Sequence, residues 1–224
     1  MNASVLGVYV ILDPDHCGGR SLPELARQAV QGGATLLQLR AEGRSTYEQV
    51  LLARALRTVT RELQVPLVIN DRVDVALASQ ADGVHVGHPD VEDMPPELAR
   101  QLLGPRAIIG VSVATPTEAA ATTGRGAGYL SIGPIFGTAS KGDAGPAIGL
   151  DRLAAVRAAV KLPICAIGGI TAANAAAAMA AGADGVAVIS AVTMAGDVLA
   201  ATRQLAAAVR GAGADDSIRR DPLP

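Results

Sequence analysis

The sequence predicts an α/β fold, a single-domain (β/α)8 TIM barrel, on three observations. Short β-branched or Leu-rich runs alternate with longer Ala-rich stretches along the chain, eight of each. A small-residue turn recurs before alternate strands, as Gly33-Ala34, Ala81-Asp82-Gly83, Gly126-Ala127-Gly128 and Gly182-Ala183-Asp184-Gly185. The intervals are about 47, 46 and 56 residues, two βα units each time. The length, 224 residues, falls in the range of about 200 to 250 that eight such units need. An open doubly wound sheet could use the same alternation, but no G-x-G-x-x-G follows the first strand to receive a dinucleotide.

Taken in order, the first strand is expected near residues 5–12, and Ser21-Leu-Pro-Glu24 reads as a capping box opening the first helix. A second strand near 36–40 leads to a second box, Ser45-Thr-Tyr-Glu48. The helix that follows carries Leu52, Leu56, Val59 and Leu63 on one face and Arg54, Arg57 and Arg61 on the other. Strands near 66–70, 83–87 and 107–112 come next, then a third box, Thr115-Pro-Thr-Glu118, with Pro116 at the first helical position, where its missing N–H does no harm. Strands near 129–133, 164–168 and 185–189 complete the count. The barrel is expected over residues 1–210. Residues 211–224, GAGADDSIRRDPLP, lack apolar periodicity and are expected to form a disordered tail.

Composition narrows the function. Half of the residues are hydrophobic, which excludes a disordered chain. A formal net charge of -2 leaves no counterion-release term to drive nucleic-acid binding, and three Tyr, one Phe and no Trp offer little for base stacking. Every apolar run is interrupted before the ~18 residues of a bilayer span, and the N-terminus lacks a basic n-region, so a cytoplasmic protein with no membrane partner is expected. Cys17 and Cys165 lie far apart and form neither a disulfide framework nor a metal spacing.

In a barrel of this kind chemistry sits where strands end. Those ends read Gln38-Leu-Arg40, Asn70-Asp71, Gly87-His-Pro-Asp90, Ser112, Gly133-Pro-Ile-Phe-Gly-Thr-Ala-Ser-Lys141, Gly168-Gly169 and Ser190. Arg40 and Lys141 bring positive charge, and Thr138 and Ser140 bring hydroxyls in a Gly-flanked loop, a cradle of diphosphate size. Asp71 and Asp90 offer two carboxylates of the sort that hold magnesium together with phosphate oxygens. Gly168, Gly169 and the start of the eighth loop fall where barrels often bind a single phosphate. Two anion sites in one pocket follow.

Taken singly, each residue has a plainer reading. Asn70-Asp71 could cap the next helix, Asp90 could be a turn residue, Gly168-Gly169 a tight turn, and Gln38 and Arg40 part of a rim ion pair. His85, in a Val-His-Val strand, reads as a packed histidine, and His16 with Cys17 as loop. Basic, acidic and hydroxyl groups meeting at the same end of successive strands favour the functional reading.

Across roughly residues 5 to 207 the sequence resembles the thiamine phosphate synthase family. The resemblance rests on GATLLQLR (33–40), VPLVINDRVDVALA (65–78), ADGVHVGHPD (81–90), GVSVATPTEA (110–119), GPIFGTASKGD (133–143), AIGGI (166–170) and GADGVAVISA (182–191). It implies a magnesium-using barrel transferase that joins 4-amino-2-methyl-5-(hydroxymethyl)pyrimidine diphosphate to 4-methyl-5-(2-phosphoethyl)thiazole, giving thiamine phosphate and diphosphate. By the same resemblance Gln38, Arg40 and Asn70 hold the pyrimidine diphosphate, Asp71 and Asp90 the magnesium, and Ser112 lies near the reacting pyrimidine. Thr138 and Ser140 line the thiazole phosphate side, Lys141 meets the diphosphate, and Gly169, Ile189 and Ser190 hold the thiazole phosphate. Arg40, Lys141 and Ser112 form the expected catalytic set, small-molecule substrates are the expected partners, and assembly into a homo-oligomer is left open.

One departure stands out. Where the family usually reads Gln-x-Arg-x-Lys, this chain reads Gln38-Leu-Arg40-Ala-Glu42. An acid replaces a cation, and Arg44 is expected to reach into the site in compensation. His88 takes a position that is often Gln in the family. A related thiazole tautomerase shares the barrel but uses a histidine after strand five, where this chain has Ala114; a non-catalytic barrel that binds thiazole phosphate is the third reading.

Overall fold

The computed structural model describes residues 5–87, 94–138, 140 and 145–216. Eight parallel strands close into a barrel in sequence order. They are β1 (Val8–Leu12), β2 (Leu36–Leu39), β3 (Leu67–Asn70), β4 (Gly83–Val86), β5 (Ile108–Val113), β6 (Tyr129–Ile132), β7 (Ile164–Ile167) and β8 (Gly185–Val188). Around them run α1 (Leu22–Gly32), α2 (Thr46–Glu62), α3 (Val73–Ser79), α4 (Pro96–Leu103), α5 (Pro116–Thr122), α6 (Gly149–Ala159), α7 (Ala175–Ala180), α8 (Ser190–Thr193) and α9 (Val198–Asp216). Closure is direct, with Val8, Tyr9 and Val10 of β1 opposite Val186, Ala187 and Val188 of β8.

Strand residues are buried on both faces, as a parallel sheet under helices requires. Alternate residues such as Val8, Val10, Leu12, Leu37, Leu39, Ile69, Val84 and Val86 pack outward against the helices. The intervening ones, Tyr9, Ile11, Leu36, Val68, Tyr129, Cys165 and Ala187, fill the barrel itself. Each fully buried Leu or Ile contributes about 2 kcal/mol through removal from water.

Three of the four recurring turns share one structural job. Asp82 accepts from the Leu67 N–H at the start of β3 (2.8 Å) and pairs with Arg57 of α2 (2.9 Å). Asp184 does the same one half-barrel later, accepting from Ile164 N at the start of β7 (2.8 Å) and from Arg157 of α6 (2.9 Å). At the corresponding place before β2, Thr35 Oγ1 accepts from Val8 N at 3.0 Å. These side chains tie the foot of one strand to the next and satisfy backbone donors that no ladder reaches. Asp184→Ala strands the partly buried Ile164 N–H, while Arg157 keeps its bonds to Val160 O and Leu162 O; a loss of about 2 kcal/mol is expected from charge-assisted bonds of this kind, measured as a lower urea midpoint at unchanged slope.

Helix starts differ from one another. The Ser45–Glu48 box is complete, with Ser45 Oγ accepting from Glu48 N at 3.3 Å and Glu48 Oε2 from Ser45 N at 2.9 Å. Thr115 accepts from Glu118 N, but the Glu118 carboxylate turns to Ala114 N at 2.7 Å. The Ser21 box is not formed: Ser21 makes no side-chain cap bond, and Glu24 accepts instead from Gln28 one turn on, at 2.9 Å. The α2 arginines do not simply face solvent either. Arg54 and Arg57 donate to Ala78 O and Gln80 O at the end of α3, and Arg61 to the Gln80 side chain, where the carbonyls left over at a helix C-terminus welcome cations. The last helix is continuous through Asp216, so residues 211–216 are helical rather than tail. Residues 217–224 lie outside the described residues. No helix among the described residues is long and apolar enough to cross a membrane.

Candidate active site

A cavity of about 830 Å³ opens at the C-terminal ends of the strands. Its lining includes Gln38, Arg40, Asn70, Ser112, Thr138, Ser140, Gly169, Ile189 and Ser190, so these strand-end residues converge on one space, while Asp71 is not among the lining residues. Asp90 and Lys141, and with them His88, lie outside the described residues.

The β2–β3 side of the rim is charged. Arg40 follows the last residue of β2, and its guanidinium is largely buried. Nη1 donates to Asp13 Oδ2 at 2.8 Å and Nη2 to Glu42 Oε2 at 2.6 Å. Asp13 is itself buried. It caps the 3-10 turn Pro14–His16 through Asp15 N and faces His16 Nδ1 at 3.2 Å. Arg44 takes another course from the one its position suggests: it pairs with Asp15 and is not among the residues lining the cavity. Asp15 follows β1 on the outer rim and captures the long side chain before it can turn inward.

Asn70 ends β3 and Asp71 follows it, and neither caps α3, whose N-cap is Arg72 without a side-chain bond. Asp71 holds a left-handed backbone (φ 59°) inside a tight turn in which Arg72 N donates to Asn70 O at 2.7 Å. A non-glycine residue held in this region is strained, and such strain concentrates at functional sites. Its carboxylate is fixed on both oxygens. Oδ1 accepts from Gly87 N, at the root of the β4 loop, at 2.9 Å, and Oδ2 from Asn70 Nδ2 at 2.5 Å. The same Asn70 amide faces Glu42 Oε1 at 3.4 Å.

Among the described residues, the opposite side of the rim presents glycines and hydroxyls and is close-packed. Gly168 and Gly169, after β7, both have positive φ (93° and 63°). The β6 loop lies against them, with Ile135 N donating to Ile167 O and Phe136 N to Gly168 O. Ser140 Oγ and Ser190 Oγ are 2.7 Å apart, joining that loop to the start of α8.

Beneath the two sides lies a polar floor. His85 Nε2 is 3.0 Å from Ser112 Oγ and its Nδ1 is 3.0 Å from the Tyr129 hydroxyl, which bonds the Tyr9 hydroxyl at 3.1 Å. The His85 ring stacks on Tyr129 at 5.5 Å. Room for this arrangement comes from Gly110, where a Cβ would stand 2.1 Å from Tyr129 Cζ. Burial, with the neighbouring Tyr129 hydroxyl next, pushes the Tyr9 hydroxyl well up. Burial does the same to Tyr129 and, with Asp184 in addition, to the Cys165 thiol. These groups stay protonated at neutral pH and serve as hydrogen-bonding surface. Gln38 is buried beside them, and its side chain hydrogen-bonds the Tyr9 hydroxyl, which partly offsets the upward shift.

His85 is therefore packed, as its Val-His-Val setting suggests, and also bonded to Ser112 on the cavity wall. Tyr9, Asp13, Tyr129 and Ser131 escaped the sequence reading, and His16, read there as loop, lines the cavity. Tyr9, His85 and Tyr129 have the same inward parity on their strands as Gln38 and Ser112, and strand alternation is the signal that could have found them.

A family model described as thiamine monophosphate synthase matches residues 8–192. The thiamine-phosphate synthase of Moorella thermoacetica is 52% identical over 198 residues, 88% of this chain and 93% of its own. That of Roseiflexus sp. is 51% identical over 205 residues, 92% of this chain and 86% of its own. Among solved structures, a thiamine phosphate pyrophosphorylase from Pyrococcus furiosus superposes with a TM-score of 0.83 at 41% identity, covering 94% of this chain and 98% of that one.

Proposed function

The chain belongs to the thiamine monophosphate synthase family and is a transferase of thiamine biosynthesis, and we propose that it joins 4-amino-2-methyl-5-(hydroxymethyl)pyrimidine diphosphate to 4-methyl-5-(2-phosphoethyl)thiazole. The observation that carries this reading is one cavity whose described residues put charged side chains on the rim at β2 and β3 and glycines and hydroxyls on the rim at β7 and β8. The first suits a diphosphate and the second a phosphate monoester.

On this reading the C–O bond between the pyrimidine methylene and diphosphate breaks first, the electron pair leaving with diphosphate. The thiazole nitrogen lone pair then forms the C–N bond to the methylene cation. No protein nucleophile is needed, and the buried thiol and phenols offer none. Arg40 stabilises the departing charge and is held for that task by Asp13, so little reorganisation accompanies bond breaking. Gln38 and Ser112 face the pyrimidine, while Thr138, Ser140, Gly169, Ile189 and Ser190 hold the thiazole phosphate and set its nitrogen close to the cation. Lys141 adds a second charge to the diphosphate.

Magnesium is the proposed cofactor. The hard, doubly anchored Asp71 carboxylate fits such an ion, and Asp90 would be its second protein ligand. The substrate's oxygens and water would complete the shell. When bound, magnesium neutralises charge on the leaving diphosphate. Where the tautomerase reading needs a histidine, Ala114 lines the cavity and can move no proton.

Two separate rims predict additivity. Inorganic diphosphate with magnesium and inorganic phosphate should each raise the melting temperature, and together raise it further, because each binds the folded state at its own site. Mutual exclusion of the two anions would overturn the two-rim reading.

A further inference from the structure

Glu42 occupies the corner that the proposed function gives to diphosphate. One of its oxygens takes the Arg40 Nη2 donor at 2.6 Å and the other faces Asn70 Nδ2 at 3.4 Å. These are the donors an incoming anion would use. The two partners of Arg40 differ in kind. The Asp13 side chain is 4% exposed and bonded to neighbouring groups as well, whereas the Glu42 side chain is 54% exposed. Glu42 sits in the short loop between β2 and α2, one residue before Gly43 (φ 73°), and can turn into solvent. Asp13 is the permanent counter-charge of Arg40, and Glu42 the displaceable one.

We propose that Glu42 is a built-in competitor for the diphosphate corner: it closes on Arg40 and Asn70 in the unloaded enzyme, must swing out for diphosphate to bind, and closes again once diphosphate has left. The proposal rests on the reading of this corner as the diphosphate site. A partly exposed ion pair of this type keeps the corner closed in about four molecules out of five, which weakens apparent diphosphate binding roughly fivefold. The loop carboxylate thereby sets affinity without touching the reacting atoms.

The test is calorimetric titration of the whole enzyme with inorganic diphosphate in excess magnesium, for the unsubstituted protein, Glu42→Gln and Glu42→Ala. Inorganic phosphate serves as a second titrant. Both variants should bind diphosphate roughly fivefold more tightly, with phosphate affinity unchanged. In steady state, product inhibition by diphosphate should strengthen by the same factor. Unchanged or weaker diphosphate binding in either variant would overturn the proposal, and so would equal tightening for phosphate, which would point to a general charge effect. Because the probe is inorganic diphosphate, failure of the synthase reaction itself would leave this result standing. Failure here alongside intact thiamine phosphate formation would remove only the role of Glu42.

Discussion

Arg40→Ala is expected to lower kcat/KM by about a thousandfold, the loss typical when a preorganised group that stabilises departing charge is removed. Two terms combine. The guanidinium no longer meets the leaving diphosphate, which lowers kcat, and the diphosphate loses its fixed donor, which raises KM for the pyrimidine substrate. The KM for the thiazole substrate should stay near its original value, because Gly169 and Ser190 lie on the other side of the rim. Stability falls as well, since Asp13 is buried and loses its guanidinium partner. About 2 kcal/mol is expected, less than the full cost of breaking a buried ion pair, because Asp15 N and His16 still face the carboxylate. Arg40→Lys should restore part of the stability and little of the rate: one ammonium cannot serve Asp13 and a diphosphate with the geometry of a fork. Steady-state kinetics with each substrate varied in turn, beside urea melts, separates the effects. An Arg40→Ala enzyme of unchanged kcat would remove Arg40 from the proposed mechanism.

Gly169→Val should fail on the opposite side. Gly169 has φ 63°, and a Cβ there would stand 2.4 Å from Gly137 O and 2.8 Å from Phe136 Cβ. A branched side chain cannot hold this backbone without strain, and it would push the β6 loop from the β7 end. The wall meant for the thiazole phosphate, together with the Ser140–Ser190 contact, is displaced. A hundredfold rise in KM for the thiazole phosphate is a reasonable scale for a misplaced positioning element. Binding of inorganic diphosphate should be retained, which also shows that the variant is folded. Loss of diphosphate binding with phosphate binding preserved would reverse the assignment of the two rims.

Much of this was legible in the sequence because the information is local. Strand bounds followed from short β-branched runs, and the rim residues from their place at strand ends, which barrel topology gathers whatever the loops do. The functional reading of Asn70-Asp71 and its plainer alternative as a helix cap looked alike in sequence. The turn at Asp71 removes the cap, since Arg72 is the N-cap. What stayed hidden depends on long-range partners. Arg44 looked free to enter the site, yet Asp15, 29 residues earlier, holds it outside. Asp13 drew no notice as a loop residue, although it anchors Arg40 from the neighbouring strand. Glu42 read as a missing cation. Its contacts with both Arg40 and Asn70 make it an occupant of the corner instead, which no pattern of spacing could reveal.

The most direct measurement of the central claim is simultaneous quantitation of thiamine phosphate and diphosphate from both substrates with magnesium, for the unsubstituted enzyme and for Asp71→Ala. The account predicts the two products in a one-to-one ratio, no product when either substrate is omitted, and loss of nearly all turnover in the variant. Diphosphate released without thiamine phosphate, or full activity in Asp71→Ala, would contradict it.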